Sequence, residues 1–180
     1  MKQPSSNAKS SNAISMLKAD HRMVEDMFKQ IESSRDDGEL VELVLALQTA
    51  LSVHTRIEEE VFYPALRASV AEAAELLDEA SVEHGSAKHF LIDLSTSTSD
   101  DRFYRARLKV LKEYVNHHVQ EEEQKLMPMA ESSDMDLDEL GAVLSERRET
   151  LMAALEQGMQ WSRNTGKPTA RTGRTARPQH

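Results

Sequence analysis

Apolar residues recur at steps of three and four along most of this chain, which is the period of an α-helix that buries one face. Four stripes of this kind lie between about residue 13 and about residue 130. The first stripe consists of Ile14, Leu17, His21, Val24, Phe28 and Ile31. The pattern therefore predicts four amphipathic helices that share one apolar core.

Polar segments separate the stripes and predict where the helices end. Residues 36–38 (Asp-Asp-Gly) break the chain after the first stripe, and Ser99 and Asp100 fit an N-cap before the fourth. Short connections make consecutive helices antiparallel neighbours. A further amphipathic run covers residues 137–161. We therefore predict an all-α fold, an up-down-up-down four-helix bundle with an additional C-terminal helix packed outside it.

Charge is distributed unevenly along the chain. The formal net charge is -9, although residues 157–180 contain five lysine or arginine residues and no acidic residue. The body is therefore strongly acidic and disfavours nucleic acid, which only the basic tail could bind, and weakly. We expect residues 1–12 and 161–180 to be disordered tails that flank a helical domain of residues 13–160.

Composition narrows the chemistry and the compartment. The chain of 180 residues has no cysteine, so any bound metal must be held by imidazole and carboxylate groups. No apolar run approaches the length of a membrane span, and residues 1–12 lack the apolar stretch of a signal peptide. We therefore expect a cytoplasmic protein without a membrane partner, with one domain and one functional centre.

Two near-copies of one motif interrupt the apolar stripes with polar residues. Each copy is a His-x-x-x-Glu with a proline ten residues after its histidine, and a further histidine lies roughly thirty residues upstream. Residues four apart share one helical face, so each pair can point at the same place. The prolines, Pro64 and Pro128, should kink or end their helices. The candidate residues are His21, His54, Glu58, His84, His118 and Glu122.

All of these candidates lie on faces that should be buried. A single histidine on an apolar stripe is most often a core histidine with a satisfied hydrogen bond. Burying a carboxylate without a partner is costly, however, so two glutamates in one core need a shared explanation. Four histidines and two glutamates on converging stripes favour a metal centre. A set without sulfur suits iron, manganese or zinc, and in helical bundles two glutamates can bridge two metals.

Some neighbouring residues compete for a place in this centre. His117 and Glu121 have the same spacing as His118 and Glu122, but the apolar stripe and the matched distance to the following proline favour the second pair. His89 lies about 140° around the helix from the third-helix candidate, which leaves it out. We expect Glu59, Glu60, Glu121 and Glu123 to lie on the solvated faces of their helices. The alternative is that Glu59 and Glu123, which directly follow the motif glutamates, support the ligands from behind.

At this point the chain resembles the hemerythrin-like domains of the HHE cation-binding group. The resemblance covers roughly residues 13 to 131 and implies a non-heme di-iron centre, bridged by carboxylates and bound by the six candidate residues. Ligand chemistry alone also allows manganese or zinc. The matching segments are Asp20-His21, His54-x-x-x-Glu58 with Phe62-Tyr63-Pro64, Glu83-His84, and His118-x-x-x-Glu122 with Met127-Pro128.

The chain departs from the oxygen carriers of that family. These have a further histidine four residues after the third-helix ligand and an aspartate five residues after the last histidine, where this chain has Lys88 and Glu123. We therefore rank binding or sensing of dioxygen, nitric oxide or hydrogen peroxide in stress above oxygen transport. The alternatives are an enzyme that decomposes or reduces hydrogen peroxide, and a structural bundle whose basic tail binds nucleic acid or an acidic partner.

Overall fold

A computed structural model describes the backbone of residues 12–165 and the side chains of residues 12–158. The α-helices of this part of the chain are α1 (Ala13–Ser33), α2 (Asp37–Ile57), α3 (Tyr63–Ser69), α4 (Ala74–Thr96), α5 (Tyr104–Glu121), α6 (Met127–Glu131) and α7 (Leu137–Thr165). A short 3₁₀ turn, Ala71–Ala73, precedes α4. The long helices α1, α2, α4 and α5 form the bundle, which confirms the predicted all-α fold.

The bundle closes through contacts between helices from both halves of the chain. Helix α1 packs on α2 and α4 packs on α5, while α2 contacts α4 and α1 contacts α5. The last helix, α7, packs on α1 and α2, where it forms the additional C-terminal helix. Residues 1–11 and 166–180, which make up most of the predicted tails, lie outside the described residues, as does the side chain of Trp161.

The start of α2 agrees with the sequence prediction, and the start of α5 does not. Asp36 Oδ1 accepts a hydrogen bond from the Glu39 amide at 2.8 Å and caps α2, as residues 36–38 predicted. The predicted N-cap at Ser99 and Asp100 is wrong, because α5 begins only at Tyr104. Asp101 instead accepts a bond from the amide two residues later at 2.7 Å. Such a local turn competes with helix formation and delays the start of α5.

A π turn occurs in each motif helix at the place where we expected a proline to kink or end it. The turns, Glu58–Phe62 and Glu122–Leu126, each begin at the motif glutamate. The amide after each turn donates to the carbonyl of that glutamate, five residues earlier. Pro64 and Pro128 follow, and the chain stays helical through α3 and α6. The prolines therefore accompany a change of helical register and do not end the helices.

The apolar core has two clusters with the motif level between them. One cluster is built from the start of α1, the end of α2, the start of α4 and the residues around α6, and it includes buried leucines of α7. The other cluster is built from the opposite ends of α1, α2 and α4, and from α5. The six candidate residues come from the stretches between the clusters. A polar layer therefore crosses the middle of an otherwise apolar bundle.

One helical segment is more apolar than the sequence pattern indicated. The continuous helix Asp37–Ser69 is long and apolar enough to cross a membrane, judged by length and composition only. Our expectation that no run approaches such a length was therefore wrong for this segment. In the structure 44% of its most apolar stretch is buried inside the protein. A core helix passes the same test, and this helix packs in the bundle.

Candidate metal centre

The six candidate side chains all lie in the polar layer, and all are buried. Each long helix of the bundle contributes at least one of them, because the motif positions fall on the inward stripes. Glu58 and Glu122 have no exposed surface at all. The donor atoms form two overlapping groups, each within 4.8 Å, which are His21, His54, Glu58 and Glu122, and Glu58, His84 and His118.

Glu58 is shared between the histidines of the two halves. Its Oε2 atom lies 3.1 Å from His54 Nε2 and 3.5 Å from His84 Nε2. Its Oε1 atom lies 4.0 Å from His21 Nε2. A carboxylate in this position can bridge two cations, since each oxygen has two lone pairs that accept.

Glu122 occupies the matching position from the other half. Its Oε2 atom lies 3.3 Å from His21 Nε2 and 3.5 Å from His118 Nε2. The hydroxyl of Tyr63 donates to Glu122 Oε1 at 2.8 Å and lies 3.3 Å from His84 Nε2. In the sequence, Tyr63 belonged only to a segment that matches the family, and no role was predicted for it. The position of this tyrosine between the motif glutamate and the proline was the sequence signal that could have identified its role.

A carboxylate holds the Nδ1 atom of every candidate histidine. Nδ1–H donation to a carboxylate fixes the tautomer of an imidazole and directs the Nε2 lone pair away from that partner. All of these Nε2 atoms accordingly face the shared glutamates. The pairs are Glu123 with His21 (2.8 Å), Asp20 with His54 (3.3 Å), Glu59 with His84 (3.0 Å) and Glu83 with His118 (2.7 Å).

These supporting carboxylates were only half anticipated. We expected Glu59 and Glu123 to lie on the solvated faces of their helices, with a supporting role as the alternative because they follow the motif glutamates. The structure supports the alternative and places both on histidines of the opposite half. Asp20 and Glu83 entered only through the resemblance. Each directly precedes an upstream histidine, yet each supports the histidine of the following motif in its own half. An acid before both upstream histidines was the signal that could have identified them.

Cations outside the layer bind three of the supporting carboxylates. Lys88, at the position of the carriers' additional histidine, donates to both oxygens of Glu59 at 2.6 and 2.8 Å. Its ammonium group is therefore held on the outer side of His84. Two arginines act in the same way, Arg22 on Glu123 and Arg148 of α7 on Asp20.

The competing pair lies at the surface. His117 is exposed, and its Nε2 atom lies 3.8 Å from Glu121 and 3.8 Å from Glu83. His89 is also exposed, with its ring bonded to the carbonyl of Gly85. The structure thus turns His118 inward and its neighbour outward, the register that the apolar stripe favoured.

Burial and neighbouring charge set the protonation of the layer. Burial raises the pKa of Glu58, and the carboxylate of Glu122 raises it further. Burial acts on Glu122 in the same direction, but the imidazoles of His21, 3.3 Å away, and His118 outweigh burial and lower the pKa of Glu122. Burial lowers the pKa of His54 to about 4. His54 is therefore neutral at pH 7, the form that binds a metal.

Several potential metal-binding atoms of this layer lack a hydrogen-bond partner in the part of the chain that the structure describes. Among the described residues, no hydrogen-bond partner serves His21 Nε2, His54 Nε2, both oxygens of Glu58, or Glu122 Oε2. His84 Nε2 and His118 Nε2 face each other at 3.0 Å. Since both rings donate from Nδ1, their Nε2 lone pairs would repel unless a proton or a metal ion lies between them. The residues therefore fit a bound metal, which would satisfy these atoms together.

Comparisons with known proteins identify the family and the fold. The model of the Hemerythrin HHE cation binding domain matches residues 12–130. The crystal structure of a Hemerythrin HHE cation binding domain-containing protein from Mycobacterium kansasii is similar, with a TM-score of 0.72 and 26% identity, over 87% of this chain and 95% of that chain.

A curated relative matches over a shorter share of its own length. A DNA nickase from Nostoc sp. (strain PCC 7120 / SAG 25.82 / UTEX 2576) is 28% identical over 117 residues, which are 64% of this chain. The chain spans 32% of that relative. The family model, by contrast, covers the whole bundle with both motifs. The chain belongs to the Hemerythrin HHE cation binding domain family.

Proposed function

We propose that the polar layer binds two iron ions, bridged by the two motif glutamates. The upstream histidine and the motif histidine of each half would hold one ion through their Nε2 atoms. The observation that carries this proposal is the set of buried donor atoms without a protein partner. Manganese and zinc remain chemically acceptable, because the ligand set contains only imidazole and carboxylate.

We further propose that the centre binds or senses dioxygen, nitric oxide or hydrogen peroxide in oxidative or nitrosative stress. A cavity of about 20 Å³ lies beside the histidines, which is room for about one water-sized molecule. Apolar side chains form much of its wall, including Val24, Leu51, Ala87, Val115 and Val119. A cavity of this size favours a ligand of a few heavy atoms over a bulky substrate.

The protein's own groups would prepare this site for a small oxidant. When bound, iron supplies the exchangeable positions and the redox chemistry. The carboxylates on Nδ1 keep the imidazoles oriented, and the Tyr63 hydroxyl holds Glu122 in place. Lys88 donates to Glu59 outside the layer. We infer from this arrangement that one position stays open where the oxygen carriers have an additional histidine.

A catalase- or peroxidase-like enzyme is the alternative, and Tyr63 favours it. Burial raises the pKa of Tyr63, and the neighbouring Glu58 and Glu122 raise it further. The hydroxyl therefore keeps its proton at neutral pH, directly beside the candidate centre. A protonated hydroxyl at this place can donate a hydrogen bond to a peroxide oxygen that gains negative charge as the peroxide is broken down.

One experiment separates these functions. Iron-loaded protein is reduced anaerobically and mixed with dioxygen, nitric oxide or hydrogen peroxide, while the visible spectrum and dioxygen release are followed. A single stoichiometric oxidation, or tight binding of nitric oxide, supports binding and sensing. Sustained dioxygen release from hydrogen peroxide establishes the enzyme instead. Stable and reversible uptake of dioxygen contradicts the stress function and favours transport. The matched control is His117→Ala, which changes an exposed ring next to the centre.

A further inference from the structure

Thr55 carries a buried hydroxyl group that the fold does not use. The residue follows His54 on α2 and is 4% exposed. Its Oγ1 atom has no hydrogen-bond partner among the described residues. A helical threonine commonly donates to the carbonyl four residues earlier, as Thr49 does on the same helix at 3.1 Å. A buried hydroxyl without a partner is costly, so its presence needs an explanation.

The same residue lines the cavity beside the candidate metal centre. Thr55 contributes to the cavity wall together with His54 and His118, and with apolar neighbours such as Val24 and Leu51. The cavity volume of about 20 Å³ suits one small molecule. A molecule held there would be the first group to offer the Thr55 hydroxyl an acceptor.

The internal repeat shows that packing does not require this hydroxyl. The second motif lies 64 residues after the first, so Thr55 corresponds to Val119. Val119 lines the same cavity from α5. Threonine and valine have nearly the same shape, and the fold therefore accepts a valine at the equivalent place. Thr55, in the first half, differs from Val119 in carrying a hydrogen-bond donor.

We propose that Thr55 Oγ1 donates a hydrogen bond to the small ligand taken up at the centre, an inference that rests on the proposed function. A hydroxyl donor stabilises a ligand that carries negative charge more than a neutral one. The site should therefore favour anionic ligands, such as the hydroperoxide anion, over neutral nitric oxide. Val119 offers no such donor, so this preference is confined to the side of the cavity that the first half forms.

Azide, a small linear anion, is the probe for this preference. Its affinity is measured by optical titration of the iron-loaded full chain as wild type, Thr55→Val, Thr55→Ser and Thr49→Val. Thr55→Val should weaken azide binding roughly tenfold to a hundredfold, the value of a hydrogen bond to a charged group. Thr55→Ser should keep the affinity because it keeps the hydroxyl. Thr49→Val removes an exposed hydroxyl and should change nothing.

A second readout excludes a structural role. Thr55→Val should leave the thermal unfolding of the metal-free protein unchanged or slightly raised, since an unpartnered hydroxyl is replaced by a group of the same shape. A clearly lowered Tm would mean that the hydroxyl has a partner within the protein and would overturn the inference. Equal azide affinities of wild type and Thr55→Val would also overturn it. A wild type that takes up iron but no small ligand contradicts the proposed function itself.

Discussion

His117 and His118 are adjacent, but α5 turns them toward opposite environments. His118 is buried against Glu83 and the shared glutamates, whereas the His117 side chain is 61% exposed. We expect His118→Ala to lose bound metal and to destabilise the fold, because the buried carboxylates lose a partner and the metal's contribution to folding disappears. Metal analysis and thermal unfolding of the purified variant measure both effects.

The matched control for this prediction is His117→Ala. It removes a neighbouring imidazole of the same size that does not face the layer, so its metal content should equal that of the wild type. Loss of metal from His117→Ala together with full metal content in His118→Ala would contradict the register described here.

Arg148 acts on the centre through two intermediate contacts. Its guanidinium binds Asp20, and Asp20 holds His54 Nδ1. We expect Arg148→Ala to weaken metal binding roughly tenfold, the lower end of the effect of removing a supporting contact behind a metal ligand. Competition with a chelator, followed at equilibrium, gives the affinity.

The chain provides a control for Arg148 at the next residue. Arg147 binds Glu60, a carboxylate that does not contact a candidate histidine. Arg147→Ala should therefore leave metal affinity unchanged. Equal losses of metal affinity in Arg148→Ala and Arg147→Ala would mean that α7 affects the centre only through the stability of the fold.

The sequence predicted the six candidate residues that face the polar layer, but it did not predict most of the side-chain contacts that hold them in place. All six candidates could be found because a polar residue in an apolar stripe stands out locally, without knowledge of the partner. Arg148 and Asp20 are 128 positions apart, and no local pattern connects them. Tyr63 reaches Glu122 across the bundle, so its role also depended on tertiary packing.

At the scale of helices, α7 makes the two halves of the bundle differ, because it packs on α1 and α2 of the first half. Leu144 of α7 is fully buried in the cluster that includes Val53 and Ile57 of α2. We expect Leu144→Ala to lower the free energy of unfolding by about 2–5 kcal/mol, the usual range for a buried leucine. Urea unfolding of the metal-loaded protein measures the change.

Val143, the preceding residue on α7, supplies the comparison. Its relative exposure is 45%, so Val143→Ala removes little buried surface. This variant should stay within about 0.5 kcal/mol of the wild type. A similar loss in both variants would show that α7 does not pack on the bundle through its Leu144 face.

Periodicity predicted the long helices, but local chemistry decided how they begin and change register. The π turns at Glu58–Phe62 and Glu122–Leu126 could not be predicted from the prolines alone. A proline removes one amide donor, and the sequence does not specify whether the helix stops or widens by one residue. The start of α5 was not predicted because Asp101 forms a local turn just before it. Several polar residues of this segment could have formed such a turn, and the sequence does not specify which one does.

For the whole molecule, the polar layer connects metal binding to stability. Without a metal, Glu58 and Glu122 are two buried carboxylates that both lie within 4.0 Å of His21 Nε2. We expect removal of metal to lower Tm, because a ligand that binds only the folded state stabilises it. The helical circular dichroism signal at 20 °C should persist, since apolar clusters lie on both sides of the layer. Equal Tm values with and without metal would contradict a metal contribution to folding.

X-ray diffraction from crystals of iron-loaded protein, recorded at the iron absorption edge, tests the proposed centre by locating the metal. Two anomalous peaks should appear inside the bundle. One peak should lie at the Nε2 atoms of His21 and His54, the other at those of His84 and His118, with both glutamates between them. A single peak, no peak in this layer, or peaks beside the exposed His117 instead would contradict the proposed centre.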